Sequence, residues 1–458
     1  MKTEITTFLD KKCIPLSVVV RDMREATKEN GQDIVIAVER HNGYTSTYKT
    51  RIFPDGTGHD EENFRFIERI AKTLLWIAGG YKIIIAGSET VGLKIKEAFK
   101  IGGLRHFDVD FMQHIYETTF SVEIRDLKDA PEDKSSAAPI GRHLEGCRIG
   151  FDAGGSDRKV SAVVDGESIY SEEVVWFPKT NSDPEYHYNG ILEAMKTAAS
   201  KMPRVDAIGI SSAGVYINNR IMNASLFLKV SEEDFEKKVK NMYIDVARQI
   251  GENIPVTVAN DGDVTALAGA MELNDDSVLG IAMGTSEAGG YIDPQGNITG
   301  WLNELAFVPF DFCEEAMVDE WSGDYGCGVK YFSQDGVIKL APYANIELDE
   351  ALSPAEKLKV VQKLMAEGDE RAAAIYETIG AYFGYAIAYY SEFYSIKHVL
   401  IMGRVTSGEG GVILLNRAQE VLNREFPDLA KSIKLHIPDE NSRRVGQSVA
   451  AASLPEIK

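Results

Sequence analysis

Three apolar strands in this 458-residue chain each run straight into a polar or glycine loop, and that repetition narrows the fold more than any other feature. The first, with Ile149 and Phe151 leading to Asp152, passes through Gly154, Gly155 and Ser156, and a strand pattern resumes at Lys159, as in a β-hairpin. The second runs from Pro255 to Ala259 and ends at Asn260-Asp261, with a helix starting almost at once. The third runs from Ser277 to Met283 and ends in Gly284-Thr285-Ser286, followed by Gly289-Gly290. Buried strands alternating with helices indicate an α/β sheet, and open sheets of that kind bind ligands beyond the carboxyl ends of their strands.

Each loop has a chemical reading and a plain one. Glycines let backbone N–H groups approach a phosphate, the Ser156 hydroxyl adds a donor, and the Asp152 carboxylate can hold hydrated magnesium. An acid before Gly-Gly also makes an ordinary hairpin turn. Asp261 is placed for chemistry where a strand becomes a helix, and it can equally be a helix N-cap. Two glycine and hydroxyl loops flanking one acid favour a shared site over separate turns.

Composition excludes several classes. A formal net charge of −21 argues against a nucleic-acid partner, because phosphate backbones are bound by basic surface. Cys13, Cys147, Cys313 and Cys327 form no close Cys-x-x-Cys pair and read as reduced thiols of a cytoplasmic protein. No apolar stretch reaches the length of a membrane span, and the first residues lack a signal-peptide pattern.

Residues 1–130 carry signals of their own: strands at Asp33 to Glu39 and Tyr44 to Phe53, a helix at Phe64 to Ala78, the buried run Lys82 to Gly87, and a helix at Val91 to Phe99. The Gly87-Ser88-Glu89 loop has no companion acid to make it a phosphate loop. The chain's end repeats the order helix, strand, glycine, helix through Ile375 to Phe393, His398 to Met402, Gly403 and Val412 to Leu422. With the two hairpins this suggests an internal duplication, the N-terminal region being a degenerate actin-like half, although βα units also resemble one another by chance. Residues 131–147 are polar, contain two prolines and read as a linker. An amphipathic helix is expected over Phe235 to Ile250.

The order of these motifs resembles the sugar kinases of the ROK group (repressor, open reading frame, kinase), in the actin, Hsp70 and hexokinase superfamily, over residues 148–453. The resemblance implies a two-lobed actin-like ATPase (ribonuclease H-like) fold with an additional N-terminal α/β domain. Lobe 1 would span 148–260 and lobe 2 would span 261–458, with the C-terminal helix returning to lobe 1. It implies ATP and Mg as cofactors and phosphorylation of a sugar or polyol hydroxyl. Asp152, Gly154, Gly155, Ser156 and Lys159 match the first phosphate loop, and Gly284, Thr285 and Ser286 the second. Asn260-Asp261 is similar to the family's Asn-Asp pair, which implies that Asn260 helps bind the sugar and that Asp261 is the general base. Gly214, Asn223 and Glu304 fall on substrate-contacting segments, and Gly403 with Arg404 on the adenosine side. Asp152 would position magnesium through water.

The departures bear on the substrate. The family's Glu-x-Gly-His is Glu304-Leu305-Ala306-Phe307 here, which keeps the acid and loses the histidine. Of its cysteine-rich zinc segment only Cys327 falls in place, Val329 stands where a glutamate is expected, and no zinc is predicted. Gly403-Arg404 replaces Gly-Gly. Loss of two charged contacts, at roughly 1.5 to 3 kcal/mol each, makes glucose a poor substrate and favours a deoxy or N-acyl sugar or another polyol. The alternative function is a non-catalytic sugar- or nucleotide-binding sensor or scaffold. A DNA-binding repressor would need an N-terminal helix-turn-helix, where residues 1–130 show strands and near-neutral charge. Nucleic-acid and membrane partners are therefore not expected, and the oligomeric state is left open, a homodimer among the options.

Overall fold

The computed structural model describes residues 3–134, 140–438 and 440–457, without the side chains of 440–445. The chain divides into two compact units. One comprises Met1–Ser136, Ile281–Gly289 and Trp301–Ile437, and the other Ala137–Gly280, Gly290–Gly300 and Pro438–Lys458. Part of the expected linker, residues 135–139, lies outside the described residues.

The N-terminal region opens with α1 (Leu16–Ala26), β1 (Gln32–Glu39), β2 (Thr45–Ile52), α2 (Asp60–Ala78), β3 (Lys82–Ala86), α3 (Glu89–Ala98), α4 (His106–Tyr116) and β4 (Ser121–Arg125). Its four strands make one sheet in the order β2-β1-β3-β4. The turn after β1 forms as its sequence dictates, with Asn42 and Gly43 both at positive φ, at 64° and 65°. The Gly87-Ser88-Glu89 loop is a helix cap: Ser88 Oγ accepts the Val91 N–H at 3.1 Å.

The second unit is built on β5 (Cys147–Ala153), β6 (Asp157–Val164), β7 (Glu167–Val175), α5 (Pro184–Ala199), β8 (Ala207–Ser212), β9 (Val215–Ile217), β10 (Arg220–Asn223), α6 (Glu232–Asp234), α7 (Met242–Ile250), β11 (Val256–Asn260) and α8 (Asp261–Leu273). Its five-stranded sheet has the order β11-β8-β5-β6-β7. Strands β5, β6 and β7 pair antiparallel, and β8 and β11 continue parallel to β5. On one face Ile149, Phe151, Ile208 and Ile210 pack with Ile191, Met195 and Val246 of α5 and α7. Burial of each such side chain contributes about 1.5 to 3 kcal/mol.

Then follow β12 (Val278–Met283), β13 (Glu287–Ile292), α9 (Gln334–Leu340), α10 (Pro354–Ala366), α11 (Glu370–Tyr390), β14 (His398–Met402), α12 (Glu409–Glu425), α13 (Pro427–Ser432), β15 (Lys434–His436) and α14 (Glu440–Ala452). The last sheet runs β13-β12-β14-β15. Helix α14 belongs to the second unit, where it packs on β5 and β8.

Two expectations need correction. The N-terminal region is not a copy of the β5-to-β8 arrangement, because β1 and β3 are antiparallel where β5 and β8 are parallel. The continuous helix expected over Phe235 to Ile250 is broken: Phe235–Val239 is a π-turn and α7 starts only at Met242. The cause is visible, since the Lys240 carbonyl accepts the Ile221 N–H of β10 at 2.9 Å. No described helix is long and apolar enough to cross a membrane.

Candidate active site

In the second unit three strand ends line up. Asp152 of β5 is paired with Ser211 of β8, and Asn260 of β11 with Ser212. The Ser211 hydroxyl donates to Asp152 Oδ1 at 2.9 Å. Burial raises the Asp152 pKa, and Ser211 and Lys159 pull it partly back. Asn260 is the N-cap of α8: its Oδ1 accepts the Gly262 N–H at 2.7 Å, while its Nδ2 donates to the Gly214 carbonyl at 2.8 Å. Gly214 lies so close to Asn223 that a Cβ there would sit 2.3 Å from the Asn223 carbonyl oxygen. The structure therefore brings together Asp152, Gly214, Asn223, Asn260 and Asp261.

Asp261 is the first residue of α8 and remains partly exposed. Dense surroundings and the nearby Asp152 carboxylate push its pKa up to about 6, against the Gly262 N–H and Lys179, which favour the anion. A carboxylate with a pKa of about 6 is mostly ionised at neutral pH, yet basic enough to take a proton.

In the glycine loop between β5 and β6 two carbonyls are occupied. Trp176 Nε1 donates to the Gly154 carbonyl at 2.8 Å, and the Trp176 N–H to the Ser156 carbonyl at 3.1 Å. Lys179 reaches over this loop: a Cβ on Gly155 would meet its Cε at 2.8 Å and its Nζ at 3.0 Å. Lys159 pairs with Asp157 at 3.2 Å.

In the first unit, Gly284, Thr285 and Ser286 form a tight loop in which the Gly284 N–H donates to the Ser286 carbonyl at 2.9 Å. Thr285 and Ser286 are exposed. Gly403 is pressed against the strand just before this loop: at φ 102°, a Cβ on it would be 2.3 Å from the Met283 carbonyl oxygen. Arg404 is exposed, and its carbonyl accepts Gln362 Nε2 at 2.6 Å. The Glu304 N–H donates to the Trp76 carbonyl at 3.1 Å. Phe307 packs in tilted contact with Trp76 at 4.3 Å and Phe107 at 5.5 Å between ring centroids. Directly after the glycine loop, Glu287 is buried beside Tyr390 Oη at 3.3 Å, and burial drives its pKa up to about 8.

The donor set around Cys327 does not suit zinc. Its Sγ lies 3.7 Å from the Lys72 ammonium, and burial pushes the thiol up to about 11. A zinc ligand must be a thiolate, and a fixed ammonium beside it repels a second cation.

Sequence reasoning missed Lys179, Ser211, Ser212 and Tyr243, whose Oη donates to Ser212 Oγ at 2.9 Å. The two serines that end an otherwise apolar strand were the available signal. Lys179 gave none, being one exposed lysine in a loop.

An α/β fold with an antiparallel-then-parallel sheet, an acid-bearing glycine hairpin and a second acid at a strand-to-helix junction defines the actin-like class. The chain belongs to the ROK family, whose pattern matches residues 148–449. It is similar to the crystal structure of a ROK hexokinase from Thermus thermophilus, with a TM-score of 0.53, 18% identity, and coverage of 67% of this chain and 97% of that one. It is also similar to a ROK-family transcriptional regulator, a homologue of the Escherichia coli MLC protein, with a TM-score of 0.51, 18% identity, and coverage of 68% of this chain and 79% of that one. At this identity both are likenesses of fold. No curated protein matches the chain.

Proposed function

We propose that the protein is an ATP-dependent kinase of a sugar or sugar-like hydroxyl, with Asp261 as the general base. The observation that carries this reading is the electrostatic coupling of Asp261, its pKa raised to about 6, with Asp152 at the carboxyl ends of β11 and β5, the two strands that flank β8 and run parallel to it. Asp261 accepts the proton of the attacking hydroxyl, a role worth roughly 10² to 10⁴ in rate. Asn260, locked between the Gly262 amide and the Gly214 carbonyl, orients that carboxylate and, with Gly214 and Asn223, the acceptor. Gly154, Gly155, Ser156 and Lys159, and separately Gly284, Thr285 and Ser286, are assigned to phosphate oxygens. Gly403 and Arg404 are assigned to the adenosine side.

Asp152 is the residue for magnesium, since a cation would relieve its raised pKa. When bound, MgATP supplies the phosphoryl group and neutralises charge on it. Glu304 is assigned to the acceptor on the family resemblance alone, and the replacement of the family's histidine by Phe307 favours a deoxy or N-acyl sugar over glucose.

The second reading is a non-catalytic sugar or nucleotide sensor. It is favoured by Phe307, which packs against Trp76 and Phe107 where the family's histidine would offer a hydrogen bond. ATP turnover with a panel of sugars, in the wild type and in Asp261→Asn, separates the two. The kinase reading expects a loss of at least roughly 100-fold with sugar binding retained. Equal turnover by the variant overturns Asp261 as base, and no turnover by the wild type favours the sensor.

A further inference from the structure

We propose that Lys72, in the N-terminal region, is a positioning residue whose ammonium holds the loop Asp319–Cys327 at the place where the family resemblance implies a zinc ion. The inference is independent of whether the protein turns over ATP.

The loop is a small hairpin. The Asp319 N–H donates to the Asp324 carbonyl at 2.8 Å, the Gly326 N–H donates to the Met317 carbonyl at 3.0 Å, and Ser322 Oγ donates to Asp319 Oδ2 at 2.6 Å. Such a hairpin, isolated, is marginal in water and needs an anchor. Its anchor is Asp324, a buried carboxylate that receives Lys72 Nζ at 2.6 Å, Arg105 Nη1 at 2.7 Å and Arg69 Nη1 at 3.0 Å. Burial alone would push Asp324 up, yet the three cations outweigh it and hold the carboxylate far below its usual range.

Lys72 is fully buried and reaches further than its neighbours, since it also meets Asp108 at 3.6 Å and Cys327 Sγ at 3.7 Å. One ammonium therefore gathers a carboxylate and a sulfur of the loop, as a bound metal does. The cluster is neutral as a whole: Arg69, Lys72 and Arg105 face Glu68, Asp108 and Asp324. Breaking one partner of such a buried set is strongly destabilising, because it strands an opposite charge. The same face of α2 continues one turn on to Trp76 and Ile77, whose carbonyls accept the N–H groups of Glu304 at 3.1 Å and Asn303 at 3.0 Å. One helix of the N-terminal region thus fixes both the loop and the Glu304 segment.

The test uses the full chain and reads amide hydrogen exchange together with bound metal. In Lys72→Met the amides of 319–328 should exchange at least tenfold faster, while those of β5 and β8 keep wild-type rates. The double variant Lys72→Met/Asp324→Asn again balances two cations against two acids. Its exchange should lie closer to wild type than that of either single variant. If Lys72→Met does not fold, the double variant and the metal content decide. Purified wild type should carry far less than one zinc per chain and keep its thermal midpoint in a strong chelator. Stoichiometric zinc, unchanged exchange in Lys72→Met, or a double variant as perturbed as the sum of the singles would each overturn the proposal.

Discussion

The carboxylate of Asp152 adds to burial in raising the pKa of Asp261, so the two acids share one electrostatic environment at the ends of β5 and β11, the strands on either side of β8. A base must be ionised to act. On the kinase reading, kcat/KM should therefore rise by roughly tenfold per pH unit below about 6 and level off above it. A rate-against-pH series with a fixed sugar and excess MgATP checks this. A profile flat from pH 5 to 7 would remove Asp261 from the role.

Lys179 lies against Gly155 and stabilises the Asp261 anion. Removing its charge by Lys179→Met should lower kcat on the order of tenfold, less than the roughly 10² to 10³ lost with a buried donor, because this lysine is exposed. The midpoint of the pH profile should also move upward. Lys179→Arg should retain most of the rate.

Glu287 gives a stability signature. Its folded-state pKa of about 8 lies above the ordinary 4.5, so the native state binds the proton more tightly than the unfolded chain does. The resulting stabilisation is fully present below about 4.5 and is lost as pH rises through about 8. Glu287→Gln, which cannot ionise, should gain stability relative to wild type across that window. Urea midpoints at pH 5, 7 and 8.5 measure the gap, and a constant difference would contradict the assignment.

At Gly209 of β8 an added Cβ would sit 1.7 Å from the Ala451 carbonyl oxygen of α14. Backbone on both sides leaves nothing to rotate away. Gly209→Ala should cost at least about 1 to 3 kcal/mol of stability, read as a lower denaturation midpoint.

The residues legible in the sequence were those whose chemistry is local. The β5–β6 hairpin, Asn260-Asp261 and the Gly284 loop each sit at the end of an apolar run that fixes both strand and stop, and the structure forms all three there. Asp324 is a different case. Its partners Arg69, Lys72 and Arg105 lie more than 200 residues earlier, and charges on a helix normally mark its solvated face, so nothing nearby signals a buried cluster. The N-terminal topology was hidden for a related reason. Strand spacing fixes period and length, and the direction in which β3 runs beside β1 depends on the intervening path of the chain.

Helix α14 covers β5 across almost 300 residues of sequence, and the buried Arg148 guanidinium reaches its partner, the Pro455 carbonyl, at 2.7 Å. During synthesis the last strand of the second unit's sheet is finished at Asn260, yet one side of that sheet stays uncovered until α14 has been made. The unit is thus completed only when α14 docks, and a variant without that helix should leave a nascent sheet that calls on chaperones.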